Sequence, residues 1–171
     1  MLFVQNIRIL ACYSKWANSR ILETINELPV SEITKKREAA FGGILPTLAH
    51  MHIINRIWQG HLLGKDHGYT SRRSQIIETL DQYSSQLNEI GDWYISYANS
   101  LNEQELNEKV LFNFVDGGSG EMNRSDILLH IVNHQTFHRG HLSDMLYQSG
   151  YEPPSIDLPV FHRNVFSKMN R

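Results

Sequence analysis

Four long stretches of this chain carry apolar side chains at every third or fourth position, a spacing that predicts amphipathic helices. The first helix is expected over residues 2–28, because Pro29 cannot continue it. Its apolar face consists of Phe3, Ile7, Leu10, Ser14, Ala17, Ile21, Ile25 and Leu28. The other three helices are expected over Ile44–Leu63, over about 73–99, and from Ser125 or Asp126 to about residue 148.

Two smaller features are expected outside these helices. Residues 109–115 alternate between polar and apolar side chains and are followed by Asp-Gly-Gly-Ser-Gly at 116–120, which predicts a two-stranded hairpin. The tail from Gly150 contains two adjacent prolines, and we expect it to be an ordered strap ending in a short helix. The prediction is an all-α protein, a four-helix bundle with a small β-hairpin before the last long helix, forming one domain over residues 1–171.

Charge and composition exclude several classes of partner. Lys and Arg total 16 against 18 Asp and Glu, so the chain lacks the basic character expected of a nucleic-acid-binding protein. No apolar run approaches the roughly 20 residues that a membrane span requires. The single cysteine, Cys12, excludes an intramolecular disulfide and is compatible with a reducing compartment. We therefore expect a cytoplasmic protein with neither a nucleic-acid nor a membrane partner.

The histidines are the strongest functional signal. Of the 9 in the chain, four lie within twelve residues: His130, His134, His138 and His141. On a helix they share one face, but His130 and His138 are about 12 Å apart along the axis and cannot share one ion. Two metal ligands on one helix must be three or four residues apart. Three chelating pairs stay open: 130/134, 134/138 and 138/141.

A third ligand has to come from another helix, and the second helix contains His50, His52 and His61. His50 and His61 share a face but lie about 16 Å apart, whereas His52 points roughly 200° away from His50. His50 is favoured over His61, because it lies on the same face as Ile54 and Ile57. The alternative is that the histidines merely form a polar helix face or hydrogen-bond within the core.

Three segments resemble the DinB family of small metal-binding helical bundles, which includes damage-inducible proteins and relatives of the bacillithiol transferases. They are Tyr-Ser-Lys-Trp-Ala-Asn-Ser-Arg at 13–20, Phe-Gly-Gly-Ile-Leu-Pro-Thr-Leu-Ala-His at 41–50, and His-Ile-Val-Asn-His-Gln-Thr-Phe-His-Arg-Gly-His-Leu at 130–142. The third is the strongest match, since it is similar to the HxxNHxxxHRG stretch of the family.

The resemblance implies that His50, His134 and His138 are the metal ligands and that His130 is a packing residue or supports a ligand. The sequence departs from the family at Asn55, where members commonly have Asp, and at Phe137, where they often have His. Replacement of that Asp removes a carboxylate that could orient a ligand imidazole. Arg139 directly follows a ligand position and is a candidate for binding an anionic substrate or for a structural ion pair.

Three neutral imidazoles leave at least one open position on the ion, whereas structural zinc sites usually have four protein ligands. Nitrogen ligands suit zinc or nickel better than calcium or magnesium. The open position could activate water or hold a thiolate, and the thiolate is what the transferase relatives imply. The sequence thus predicts a metal-dependent hydrolase or a low-molecular-weight-thiol S-transferase, with a thiol or electrophile as substrate and a link to stress or damage. The alternative is a non-catalytic, metal-stabilised binding or stress-sensing protein. The resemblance and the apolar first helix favour a homodimer.

Overall fold

The structure is a computed structural model that describes residues 2–166. Most of the described chain is helical, with one antiparallel hairpin before the last long helix. In chain order the elements are α1 (Leu2–Ile25), α2 (Val30–Ile33), α3 (Ile44–Leu63), α4 (Leu80–Ser100), α5 (Glu103–Leu106), β1 (Lys109–Asn113), β2 (Ser119–Asn123), α6 (Arg124–Gln148) and α7 (Leu158–Phe161), with α7 followed by a π-helical turn at His162–Phe166.

Four long helices form the bundle, as the sequence predicted. Helices α1 and α3 each pack against both α4 and α6. Apolar side chains such as Ile21, Leu48 and Leu146 fill the interior, each at most 1% exposed. The α3–α6 contact matters most for function, because these two helices bring the histidine segments together. None of the described helices is long and apolar enough to cross a membrane.

Two helix boundaries differ from the prediction. Helix α1 ends at Ile25, three residues early, because a residue preceding a proline disfavours helical backbone and residues 26–28 form a turn before Pro29. Helix α4 begins only at Leu80. Thr79 caps it in a reciprocal pair with Gln82, and the preceding residues lie in a long loop. Ile76 and Ile77, which continue the helical spacing in the sequence, are exposed in that loop.

The hairpin confirms the alternating pattern, with Lys109 opposite Asn123 and Phe112 opposite Gly120. Gly120 is required by packing, since a Cβ atom there would lie 2.5 Å from Cζ of Phe112. The Phe112 ring is thereby buried against α3 instead of standing out from the sheet. The tail also agrees with the prediction: it runs as an extended strap into the short helix α7.

Candidate metal centre

The fold brings together the imidazoles of His50 on α3 and of His134 and His138 on α6. The Nε2 atom of His134 lies 3.2 Å from Nε2 of His50 and 3.1 Å from Nε2 of His138. Metal–nitrogen bonds of about 2.0–2.1 Å, at angles near those of a tetrahedron or octahedron, separate ligand nitrogens by about 2.9–3.4 Å. The three nitrogens therefore have the spacing of ligands to one ion, and the group could hold a metal.

His50 is oriented by a backbone group from the loop between α3 and α4. Its Nδ1 atom lies 2.8 Å from the carbonyl oxygen of Arg72. A carbonyl can only accept, so Nδ1 carries the proton and donates, which leaves the lone pair on Nε2. This is the tautomer that a metal ligand requires, with the outer ring nitrogen hydrogen-bonded to a backbone oxygen.

Packing rather than hydrogen bonding orients the other two rings. The buried Nδ1 atoms of His134 and His138 have no hydrogen-bond partner within residues 2–166. Phe41 stacks on His50 with ring centroids 4.1 Å apart and contacts His138 edge-on at 5.3 Å. Arg73 in turn places its guanidinium 4.9 Å from the centre of the Phe41 ring. The loop before α3 and the loop after it thus cover the histidines from outside.

All three imidazoles are held in the neutral form that a metal requires. Burial, together with the neighbouring histidines His138, His50 and His130, lowers the pKa of His134 to about 3. Burial likewise lowers the pKa of His138 to about 4, with the charges of His50 and His141 as additional causes. The pKa of His50 is also lowered by burial, against the raising effect of its bond to Arg72. At neutral pH their lone pairs are available.

The remaining histidines lie outside this group. His61 contacts Trp58 and His67, with ring centroids 5.4 and 5.1 Å away. His130 packs edge-on against Trp58 at 5.0 Å. His141 lies one turn beyond His138, with a ring–ring distance of 5.3 Å. Of the pairs left open by helix geometry, the structure brings 134/138 to His50.

Arg139 points away from the histidines, towards α1. It is 1% exposed and donates to Oδ1 of Asn18 at 2.8 Å and to Oγ1 of Thr136 at 2.7 Å. Its guanidinium also lies 5.4 Å from the centre of the Tyr13 ring. Arg139 is thus a buried residue that bonds neutral partners, and no carboxylate pairs with it among the described residues.

Asn55 is also absent from the histidine group. It is 3% exposed and donates to the carbonyl oxygen of Met51 at 2.9 Å, one turn earlier on α3. Among the described residues, the group that hydrogen-bonds the His50 ring is the Arg72 carbonyl, and the Asn55 side chain bonds its own helix.

Two spaces of different character meet at His50 and Arg72. The first, here called the inner cavity, has a volume of about 210 Å³ and lies between α3, α6 and the hairpin; His134 is in its wall. The second, the outer groove, measures about 630 Å³ and is reached from the side of His138. Arg72 and Arg73 line the outer groove, and no described lining residue there is acidic. The three histidines thus border two separate spaces.

Sequence reasoning missed the groups that surround the histidines. Phe41 lies at the start of the segment that resembles the family, so its position was visible but its stacking on His50 was not. Arg72 acts through its backbone carbonyl, which any residue type could supply, and it therefore carries no signal. The predicted third helix begins at about residue 73, whereas Arg73 lies in the loop between α3 and α4.

Three features define the class of protein: a four-helix bundle, three histidines between α3 and α6, and a hairpin before the last long helix. The DinB family model matches residues 4–168, and the chain belongs to the DinB family. A curated relative, Protein DinB of Bacillus subtilis (strain 168), is 25% identical over 156 residues, which cover 87% of this chain and 89% of the relative. The crystal structure of a DinB-like protein from Bacillus cereus ATCC 10987 has the same fold. Its TM-score is 0.62 at 17% identity, over 90% of this chain and 94% of that one.

Proposed function

We propose that this chain is a metal-dependent transferase that joins a low-molecular-weight thiol to an electrophile. His50, His134 and His138 would hold one divalent transition metal ion, zinc or nickel, through three neutral nitrogens. Three protein ligands leave a position for a substrate. When bound, the ion would supply a positive charge that keeps a coordinating thiol in its thiolate form.

The observation that carries this proposal is the meeting of two chemically different spaces at the histidines. His50 and Arg72 line both, His134 lines only the inner cavity, and His138 lines only the outer groove. A hydrolase needs one substrate and a water, for which a single cleft is sufficient. Two spaces suit two substrates, and they favour transfer over hydrolysis.

The charges of the outer groove suit an anionic thiol. Within residues 2–166 the Arg73 guanidinium donates one hydrogen bond, from Nη2 to the carbonyl oxygen of Ala40, and no Asp or Glu lines the groove. A thiol bearing a carboxylate would gain a favourable interaction there and would present its sulfur towards the histidines. In the reaction a carbon–sulfur bond forms, the bond from that carbon to its leaving group breaks, and the thiol proton departs with the leaving group.

A non-catalytic role is the second candidate, because the three histidines connect α3 to α6 and an ion there would cross-link the bundle. It predicts a large rise in melting temperature with metal and no turnover. That the protein is a homodimer stays a prediction, which sedimentation can check. A link to stress or damage also stays a prediction.

The first test is elemental analysis of protein purified without a histidine tag and incubated with zinc or nickel. About one equivalent of metal is expected for a single three-histidine site. Loaded protein is then mixed with carboxylate-bearing thiols and a chlorinated aromatic electrophile, and the thioether is measured by mass spectrometry. Metal binding without thioether from any thiol would reject the transferase and leave the cross-linking role.

A matched pair of variants tests the anionic thiol. Arg73→Gln should raise KM for the thiol about tenfold, the usual effect of losing one charge-assisted hydrogen bond, with metal content unchanged. Arg20→Gln is the control, since Arg20 lies on α1, outside the lining of the groove, and forms an exposed ion pair with Glu23. Equal KM values in the two variants would contradict a role for the outer groove.

A further inference from the structure

The inner cavity has the size of a single aromatic ring. Its volume of about 210 Å³ exceeds the 150 Å³ or so of an apolar cavity that can hold benzene. It is also below the roughly 300 Å³ at which cavities begin to accept drug-sized molecules. A ring with a short substituent therefore fits within this volume.

The walls of the cavity suit an uncharged, planar group. Ile54, Ile57 and Trp58 line it from α3, and Phe112, Phe114 and Val115 from the hairpin. Trp58 and Phe112 meet edge-to-face with ring centroids 4.9 Å apart, and Phe114 meets Phe112 at 5.1 Å and 89°. Perpendicular aromatic rings offer both edges and faces to a further ring, which is the arrangement that aromatic groups prefer.

Charge in the cavity is confined to one ion pair that connects the covering loop to the hairpin turn. Arg72 and Asp116 lie 3.0 Å apart, with side chains 56% and 63% exposed. An ion pair this exposed contributes at most about 1 kcal/mol, so it opens easily. Asp116 lies in the hairpin turn and is followed by Gly117 and Gly118, both with a positive φ that favours glycine.

We infer that the inner cavity binds an uncharged aromatic ring of the second substrate and that the Arg72–Asp116 pair closes its entrance. The ring would reach the histidines on the side of His134, opposite the outer groove. That the ring belongs to the electrophile rests on the proposed transferase function, whereas the binding of the ring does not.

The test uses fluorobenzene as the probe and the zinc-loaded full chain, observed by ¹⁹F NMR. Saturable binding and proton contacts to the Trp58 indole are expected. Val115→Trp fills the cavity from the half-buried hairpin turn and should weaken binding at least tenfold. Leu111→Trp, on the same hairpin but 76% exposed and outside the cavity lining, should leave it unchanged. Metal content is measured in every variant.

The outcomes separate this inference from the transferase proposal. No binding by the unmodified protein, or equal binding by Val115→Trp and Leu111→Trp, would overturn the cavity assignment even if thiol transfer occurs. Ring binding without transfer would support the cavity and reject the transferase. If Val115→Trp fails to fold by circular dichroism, Val115→Phe and the contacts to Trp58 decide. Asp116→Asn should speed probe exchange severalfold, and an unchanged rate would refute the closing pair.

Discussion

Two neighbouring faces of helix α6 differ in the partners of their polar side chains. His134 and His138 contact His50 of α3, whereas Arg139 and Gln135 bond Asn18 of α1; each pair is four residues apart, and Gln135 also donates to the carbonyl oxygen of Met51 on α3 at 3.4 Å. On the α1 side Arg139 donates to Asn18, and Asn18 donates to Oε1 of Gln135 at 3.1 Å. On the α3 side the nitrogens of His50, His134 and His138 face one another.

The two faces therefore differ in whether their polar groups find hydrogen-bond partners inside the protein. A buried polar group that finds its partners inside the protein stabilises one packing arrangement, and the Arg139 network comes close to that state, with only Nε lacking a partner among the described atoms. On the histidine face the three Nε2 atoms converge on one another, a spacing at which they could hold a metal ion from outside the protein. We therefore expect substitutions on the histidine face to reduce metal binding and substitutions on the Arg139 face to reduce the free energy of unfolding.

The largest effect is expected for metal binding. His138→Ala removes one ligand of three, about a third of a binding free energy on the order of 10 kcal/mol, so nearly all metal should be lost. His130→Ala and His141→Ala are the controls, since both lie one turn from a ligand on the same helix. Elemental analysis after dialysis distinguishes them. Metal loss in His141→Ala equal to that in His138→Ala would reject the 134/138 pair.

Arg139→Met is expected to reduce stability rather than metal binding. The change leaves Oδ1 of Asn18 without its donor in the interior, at a cost of about 1–3 kcal/mol in the free energy of unfolding. Urea denaturation measures it, and metal content should not change. Arg20→Met, on the exposed part of α1, should be close to neutral. A variant that is stable but metal-free would show that the two faces are not independent.

Acid is expected to reduce the stability of the metal-free protein because of the buried histidines on this face. In the unfolded chain histidines take up protons below about pH 6.5, whereas burial holds the pKa of His134 near 3 and that of His138 near 4. The unfolded state therefore binds more protons in this range. The stabilising contribution is complete above pH 6.5 and is lost progressively as the pH falls towards about 3. The urea midpoint measured at several pH values should fall less steeply in His134→Gln, and parallel slopes would contradict this origin.

The smallest effect concerns the residue that stacks on His50. Phe41→Leu keeps an apolar side chain but removes an aromatic contact of about 0.5–1.5 kcal/mol, so zinc affinity should fall between about twofold and tenfold. Competition with a chromophoric chelator measures the change. Phe3→Leu, on the first turn of α1, is the matched control. An unchanged affinity in Phe41→Leu would mean that the Arg72 carbonyl alone orients His50.

Much of this could be predicted because it depends on local spacing. The four long helices, the hairpin and the shared face of His134 and His138 follow from periodicities within single segments. The prediction is wrong where contacts between residues distant in the sequence override that periodicity. Ile76 and Ile77 continue a helical pattern, but their segment lies in the loop whose Arg72 carbonyl bonds His50. That bond joins residues 22 positions apart and has no trace in local sequence.

The sequence by itself determined the bundle and the histidines able to chelate, because helix rise and rotation act over a few residues. Only the tertiary structure decided which nitrogens converge, since helix packing brings His50 within 3.2 Å of a residue 84 positions away. It also decided that Arg139 and Asn55 lie apart from the histidines and that two spaces meet at His50. Such arrangements arise from contacts between separate elements, whose distances no single segment specifies.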